Sequence, residues 1–200
     1  MKSSVIVPIV DGHSEMQSVP LLLRRLLIER GQYEFTIAKP IRVGRYRVVR
    51  SGELERSIEL ARRRPEGCDA ILLLLDADDD CPKELAPNLL ERAKNASAGI
   101  RSAVVLAKSE FESWFLGSLE SLRGVRGLSD EAVSPESPEE IRDAKGYLIR
   151  QMRGGRTYVE VDDQPALAEK FDLELARQHC PSFDKFIREV DVLFSKMEQS

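Results

Sequence analysis

The chain has 200 residues and a formal net charge of −4, from 30 Lys and Arg against 34 Asp and Glu. This length allows one sizeable domain with an appendage, and the net charge lacks the overall basic character of many nucleic-acid-binding proteins. No apolar run is long enough to span a bilayer or to form a signal peptide, and the three cysteines have no CxxC spacing, so we expect a cytoplasmic protein without a disulfide framework or zinc site.

The first predicted element is a buried strand, Ser4–Val10, in which Pro8 indicates a strand end or a local irregularity. It leads into a polar turn at residues 11–15, with the sequence DGHSE. Apolar residues then recur at the spacing of a helix face, and they predict an amphipathic helix that ends at Gly31: Val19, Leu22, Leu23, Leu26 and Leu27.

A short second strand is predicted over residues 34–38, followed by a loop rich in arginine. Ser51 is expected to begin the next helix, with Glu53 and Glu55 in a first turn where the helix dipole favours acids. The local basic region before and within this helix contains Arg42, Arg45, Arg47, Arg50, Arg56, Arg62, Arg63 and Arg64.

Residues 71–80, with the sequence ILLLLDADDD, join an unbroken aliphatic run to an acidic end. Such a run is typical of a strand buried on both faces of a parallel sheet, and we assign the third strand to residues 69–75. A helix from Pro82 to about Asn95 and a fourth strand over residues 102–107 follow. This alternation of strands and helices predicts an α/β fold, with a mainly parallel four-stranded sheet between helical layers.

The acidic end of the third strand is a candidate metal site. Alternate residues of an extended chain point the same way, so Asp76 and Asp78 are predicted to aim their carboxylates at one point. Asp79 would point away, and Asp80 is a marginal member. Clustered carboxylates repel one another unless a cation or proton compensates them, and oxygen ligands suit Mg²⁺ or Mn²⁺. The alternative is a solvated acidic turn that caps the next helix.

The C-terminal part is predicted to be mostly helical, packed on a core of residues 1–122 as one compact unit. A helix after Ser109 carries a large apolar stripe, and a long loop of residues 123–137 follows. The remaining predicted elements are a helix over residues 138–152, a small edge strand over residues 158–161, helices over residues 165–171 and 172–179, and a last helix opened by Pro181 and Ser182.

If the first, third and fourth strands are neighbours, acids from three strand ends meet at one edge of the sheet. The first strand contributes Asp11 and Glu15, and the fourth contributes Glu110 and Glu112. Each has a structural alternative, since Ser109 and Glu112 fit a capping box and Glu110 suits a helix start. Bringing so many negative charges together is costly without a cation, which favours the metal site.

These motifs resemble the Toprim fold of topoisomerases, primases and the overcoming-lysogenization-defect nucleases. More narrowly, VDGHSE, LLDADDDCP, SEFESWFL, Ala144-Lys145, Tyr158 and CPSFDKF resemble the Toprim-like family named domain of unknown function 4276. The resemblance extends from Val7 to Leu193. The family usually has Glu at the end of the first strand, where this chain has Asp11. That shorter acid leaves two readings open, a shifted metal or a weakened activity.

The resemblance implies a Toprim-like, Rossmann-like fold and a Mg²⁺- or Mn²⁺-dependent nuclease site. Asp11, Asp76 and Asp78 would hold metal, and Glu15, Glu110 and Glu112 would place a second ion or a metal-bound water. Lys108 and Lys145 are candidate phosphate contacts, and His13 could donate a hydrogen bond to phosphate. Nucleic acid, DNA above all, would be held by Arg42, Arg45, Arg47 and Arg50.

The resemblance also implies an ATPase partner of the ATP-binding-cassette or AAA type in bacterial antiphage defence, and pairing with a second copy stays open. A response-regulator receiver is disfavoured because Ala107 stands where a Ser or Thr is needed. A haloacid-dehalogenase-type phosphatase is disfavoured because Asp11 is a lone aspartate. The remaining competitor is a metal-binding regulatory subunit of an ATPase complex with weak or no catalysis, and Asp11 and the acidic net charge favour it.

Overall fold

The computed structural model describes residues 3–50 and 52–197. Its strands are β1 (Ser4–Val10), β2 (Phe35–Ile37), β3 (Ile41–Arg42), β4 (Ala70–Asp76) and β5 (Arg101–Ala107). Its helices are α1 (Glu15–Glu29), α2 (Arg45–Val48), α3 (Glu53–Arg62), α4 (Pro82–Ser97), α5 (Ser113–Leu116), α6 (Ala144–Arg150), α7 (Glu160–Ala168), α8 (Leu173–His179) and α9 (Pro181–Met197). Short 3-10 turns lie at Leu119–Leu122, Val125–Gly127 and Pro138–Glu140.

The sheet is parallel throughout, with the order β2-β1-β4-β5, and the short β3 pairs with the carboxyl end of β1. This arrangement confirms the predicted α/β class and its mainly parallel sheet. β3 was absent from the prediction because a two-residue strand carries no periodic signal.

The aliphatic run of β4 is buried on both faces of the sheet, as predicted. Leu72 and Leu74 join the apolar cluster on one face, while Leu73 and Leu75 join the cluster on the other. Residues of α1 and the C-terminal helices complete the first cluster, and α3 and α4 complete the second. The sheet is therefore the middle of three layers.

The C-terminal helices attach to the first layer through aromatic side chains. Trp114 is fully buried, and its ring centroid lies 4.9 Å from that of Phe183. Its indole N–H donates a hydrogen bond to Ser182 Oγ at 2.8 Å. The same cluster contains Phe111, Phe115, Phe171 and Phe186. Within the described residues, no helix is long and apolar enough to cross a membrane.

Several C-terminal predictions were wrong. The single helix over residues 138–152 is instead a 3-10 turn and the separate α6, because the chain is extended at Ile141 and Asp143 caps α6 by accepting a hydrogen bond from the Gly146 N–H at 2.8 Å. The strand over residues 158–161 does not form. Instead, Val159 is the N-cap of α7, and the Val159 N–H donates to Asp163 Oδ2 at 2.8 Å.

The predicted helix over residues 165–171 is the second half of α7, which ends at Ala168. The helix predicted after Ser109 forms only as the four-residue α5 with Glu112 as its N-cap, because Ser109 has a left-handed φ of 61°. The arginine-rich loop contains the short α2. Ser51 lies outside the described residues, and Gly52 is the N-cap of α3, where Glu55 accepts its N–H at 2.9 Å.

Candidate acidic site

The carboxyl ends of β1, β4 and β5 bring acids from three parts of the sequence to one edge of the sheet. Val10 of β1 is in register with Leu74, and Asp76 at the end of β4 is in register with Ala107 of β5. Asp11 therefore follows β1 beside Asp76, and the turn after β5 returns toward the same place. The predicted adjacency of the three strand ends is confirmed.

Asp76 is held at this edge by the turn after β5. Its Oδ1 accepts a hydrogen bond from the Phe111 N–H at 2.7 Å, and its own N–H donates to Asp11 Oδ2 at 3.3 Å. Burial raises the pKa of Asp11 to about 6, and the charge of Glu15 adds to the shift. Burial and the charges of Asp11, Glu112 and Glu15 also raise the pKa of Asp76 well above its ordinary value.

A buried hydrogen-bond network joins two further acids. The Gln164 side-chain amide donates to Glu15 Oε1 at 2.9 Å and to Glu112 Oε1 at 3.1 Å, and the Tyr158 hydroxyl donates to Glu112 Oε1 at 3.0 Å. The second carboxylate oxygens of Glu15 and Glu112, and the Gln164 carbonyl, have no hydrogen-bond partner among the described residues. Burial raises the pKa of Glu112 to about 7, even though the charge of Lys145 opposes the shift.

Gly12 makes room for this network. A Cβ at position 12 would lie 1.8 Å from Glu15 Oε2, so any side chain there would force the Glu15 carboxylate away. The first residue of the motif after Asp11 is thus a glycine for steric reasons.

Lys145 places a positive charge beside the acids. Its Nζ lies 3.0 Å from Glu160 Oε2, while Ser14 Oγ donates to Glu160 Oε1 at 2.7 Å. The Lys145 backbone N–H donates to Glu110 Oε2 at 3.2 Å. Burial acts to lower the pKa of Lys145, but Glu112 and Glu160 raise it overall, so the amine stays charged. It partly compensates the acidic cluster.

Asp78 does not share the buried position of Asp76. Its φ of 49° is left-handed, so the chain does not stay extended after β4, and Asp78 is exposed. The predicted common direction of these two side chains is therefore wrong. The Asp78 N–H donates to the Ser109 carbonyl at 2.9 Å. Asp78 and Ser109 line an open cavity of about 370 Å³. The other residues that line it are Asp79, Lys108, Glu110, Glu139, Glu140 and Arg142.

The remaining candidates lie around this edge. His13 is exposed in the turn after β1, and Arg42, Arg47 and Arg50 are exposed near the end of β3 and in and after α2. Arg45 donates its Nε to the Asp76 carbonyl at 2.8 Å and forms an ion pair with Asp80.

Two buried acids, Glu15 and Glu112, and two partly buried acids, Asp11 and Asp76, form the acidic cluster. Within residues 3–50 and 52–197, no three Asp, Glu, His or Cys side chains are gathered into ligand positions around one point. The donor chemistry still fits Mg²⁺ or Mn²⁺, because all four are carboxylates and two keep buried oxygens without partners. A cation would also offset the repulsion that, after burial, raises the pKa of Asp11 and Asp76.

A protein-family model described as "Domain of unknown function (DUF4276)" matches residues 10–191. The chain belongs to this family. The predicted membership is confirmed, and the broader relation to Toprim domains stays a prediction. No curated protein matches the chain. Among solved structures, the C-terminal region of the Xanthomonas campestris pv. campestris OLD protein is similar to this chain. The two sequences are 16% identical, the match covers 96% of this chain and 97% of that chain, and the TM-score is 0.46.

Several residues that support the acidic cluster in this DUF4276 chain were not predicted as part of the site. Gln164, Ser14 and Glu160 were not considered, and Tyr158 entered only through the family resemblance. Their separation from the strand ends in sequence hides the contact. Gln164 and its neighbour Asp163 are both fully buried, which polar side chains in sequence do not indicate. The capping-box reading of Glu112 is wrong, since its carboxylate bonds Gln164 and Tyr158 instead.

Proposed function

We propose that this chain is a divalent-metal-dependent nucleic-acid phosphodiesterase. The observation that carries the proposal is the acidic cluster of Asp11, Asp76, Glu15 and Glu112 at the carboxyl edge of a parallel sheet, where ligands of open α/β sheets bind. Burial raises the pKa values of Asp11, Asp76 and Glu112, and neighbouring carboxylates add to the shift at Asp11 and Asp76, a repulsion that a cation would offset.

Asp11 and Asp76 are the residues that would hold Mg²⁺ or Mn²⁺, with Glu15 and the nearby Asp78 as further ligands. A bound ion would act as a Lewis acid on the phosphate and lower the pKa of water. The protein's own part is positional. Gln164 orients Glu15 and Glu112 through their Oε1 atoms, and the Phe111 N–H holds Asp76.

Nucleic acid would approach an edge that is otherwise repulsive to phosphate, so nearby cations are needed. Arg42, Arg47 and Arg50 offer exposed guanidinium groups for the backbone, and Arg45 anchors their segment to Asp76 and Asp80. Lys108 and Glu110 line the adjoining cavity, where Lys108 is a candidate phosphate contact. His13 and Lys145 are further candidates, although Lys145 already pairs with Glu160.

The test is cleavage of labelled DNA and RNA in Mg²⁺ or Mn²⁺, with EDTA as the blank. We expect Asp76→Asn to lower the rate at least ~100-fold, since loss of metal binding removes several kcal/mol of transition-state stabilisation. Asp79→Asn is the matched control, because Asp79 is an exposed aspartate in the same acidic run. Equal activity in wild type and Asp76→Asn would contradict the proposal.

A metal-binding regulatory subunit of an ATPase complex is the second candidate. One observation favours it: the acid that ends β1 is Asp11, one methylene shorter than the Glu usual in the resembled family. The relevant assay repeats the cleavage measurement after addition of the expected partner, an ATPase of the ATP-binding-cassette or AAA type. We propose that the two proteins act together in antiphage defence. Stable ATPase binding without cleavage under any condition would support the subunit. Cytoplasmic location and self-association stay predictions.

A further inference from the structure

An exposed aromatic side chain stands within the arginine-rich segment beside the acidic cluster. Tyr46, in α2, is 69% exposed. The Arg50 guanidinium carbon lies 4.1 Å from the centroid of the Tyr46 ring, and Arg50 also donates a hydrogen bond to the Tyr46 hydroxyl. The guanidinium therefore holds the ring while much of the tyrosine faces solvent.

The position of Tyr46 is set by the neighbouring elements. Arg42 of β3 is in register with Val10 at the carboxyl end of β1, so α2 begins at the edge that carries the acidic cluster. Arg45 then contacts the Asp76 carbonyl at 2.8 Å and pairs with Asp80. Tyr46 is the next residue, adjacent in sequence to a side chain that touches the end of β4.

The neighbouring charges suit a polyanion. Arg42, Arg47 and Arg50 are all exposed, and Arg47 forms a 3.7 Å ion pair with the partly exposed Glu53. Arginines that track a backbone, combined with an aromatic ring that takes a base, are the combination that binds single-stranded nucleic acid. Arginine beneath the ring adds a cation–π contact that holds it in place.

We propose that Tyr46 is a stacking platform for an unpaired base, so that the chain takes single-stranded or locally unpaired nucleic acid. The proposal that this single strand is a substrate rests on the proposed function of the acidic cluster. The proposal that Tyr46 binds a single strand does not. A base in an intact duplex is already stacked on both sides and cannot lie on the ring. The arginines would hold the flanking phosphates.

The test measures binding in EDTA, where cleavage cannot interfere. A labelled single-stranded oligonucleotide of about 12 nucleotides and its duplex are titrated with wild type and Tyr46→Ala, followed by fluorescence anisotropy. We expect Tyr46→Ala to weaken single-strand binding about 5- to 150-fold, the range given by loss of one stacked base. Duplex binding should change less than about 2-fold, since only phosphate contacts remain there.

Tyr33 gives a matched control. It is 77% exposed, but it precedes β2 and therefore lies toward the amino ends of the strands, away from the acidic cluster. Tyr33→Ala should leave both affinities unchanged. Equal losses in Tyr33→Ala and Tyr46→Ala would overturn the proposal, as would wild-type-like single-strand binding by Tyr46→Ala or failure of the wild type to bind single strands.

A spectroscopic variant reports stacking directly. Tyr46→Trp should keep the affinity and lose tryptophan fluorescence when a single strand binds, because a base stacked on indole quenches it. The native Trp114 is fully buried and supplies a constant background. No quenching in Tyr46→Trp at saturation overturns the proposal. Quenching without metal-dependent cleavage in any assay supports stacking and contradicts the nuclease, so the two failures are distinguishable.

Discussion

Gln164 is the residue on which the two buried glutamates depend. Its single amide nitrogen donates to both Glu15 and Glu112. Gln164→Ala should lower the free energy of unfolding by about 1–3 kcal/mol, because two buried carboxylates lose a donor. Urea denaturation measures this change. Gln178→Ala, at an exposed position in α8, should cost less than about 0.5 kcal/mol. Equal stability of the two variants would argue against the network.

The pH dependence of stability follows from the raised pKa of Glu112. Its pKa moves from an ordinary value of 4.5 to about 7 in the folded state, mainly through burial. The folded protein therefore holds more protons than the unfolded chain in this interval, so the free energy of unfolding should fall as pH rises from about 5 to 7. Asp11, with a pKa of about 6, acts in the same direction.

Urea midpoints measured in EDTA at several pH values would check this slope. Glu112→Gln should show a shallower decline, because its neutral amide does not titrate, and should be more stable than wild type at pH 8. Several surface acids, including Glu59 and Glu66, have lowered pKa values and act only at lower pH. Parallel slopes in wild type and Glu112→Gln would contradict the assignment.

At the scale of elements, α7 carries Gln164 into the core and is anchored by a buried acid. Asp163 is fully buried, and its Oδ1 lies 2.6 Å from Nε of Arg126 and 2.6 Å from Nη2 of Arg156. Its Oδ2 caps the start of α7 at Val159. The helix position thus depends on one carboxylate with three partners.

Asp163→Ala should destabilise the protein by about 1–3 kcal/mol, because it removes the acceptor of the Val159 N–H and the buried partner of the partly exposed Arg126 and Arg156. The neighbouring Asp162 is exposed and supplies the matched control, with an expected change under about 0.5 kcal/mol for Asp162→Ala. Thermal or urea unfolding of the two variants makes the comparison. Indistinguishable midpoints would mean that Asp163 does not hold α7.

The elements also differ in how far the sequence predicted them. β1 was predicted with its observed bounds, and β4 and β5 to within one residue, because long aliphatic runs allow few alternatives. The short elements α2, α5 and α7 were missed or misplaced. They have too few residues for a periodic pattern, and contacts such as that between Asp163 and Arg126 decide where they begin.

At the scale of the whole molecule, the C-terminal helices are part of the core. Trp114 and Phe115 pack against Phe183 and Phe171, so residues 1–122 alone would expose these rings. A fragment of residues 1–122 should bind a hydrophobic dye strongly and lack near-ultraviolet circular dichroism. A cooperative unfolding transition in this fragment would contradict the expectation and define residues 1–122 as an independent domain.

Metal binding should also appear in global stability. Millimolar Mg²⁺ should raise the Tm of the wild type, since a ligand at 100 times its Kd adds about 2.7 kcal/mol to the free energy of unfolding. The rise should be lost in Asp76→Ala/Asp78→Ala. Differential scanning calorimetry with and without Mg²⁺ measures both. An equal rise in the double variant would place the ion elsewhere.

By itself, the sequence determined the layered α/β class, the family motifs and the acids at three strand ends, because these depend on local periodicity and on the shared direction of parallel strands. Only the tertiary structure decided which acids are buried together. Asp78 is exposed after a left-handed turn while Asp76 is partly buried, and Gln164 and Lys145 reach the acidic cluster from distant helices. Such contacts depend on long-range packing, which leaves no regular spacing in the chain.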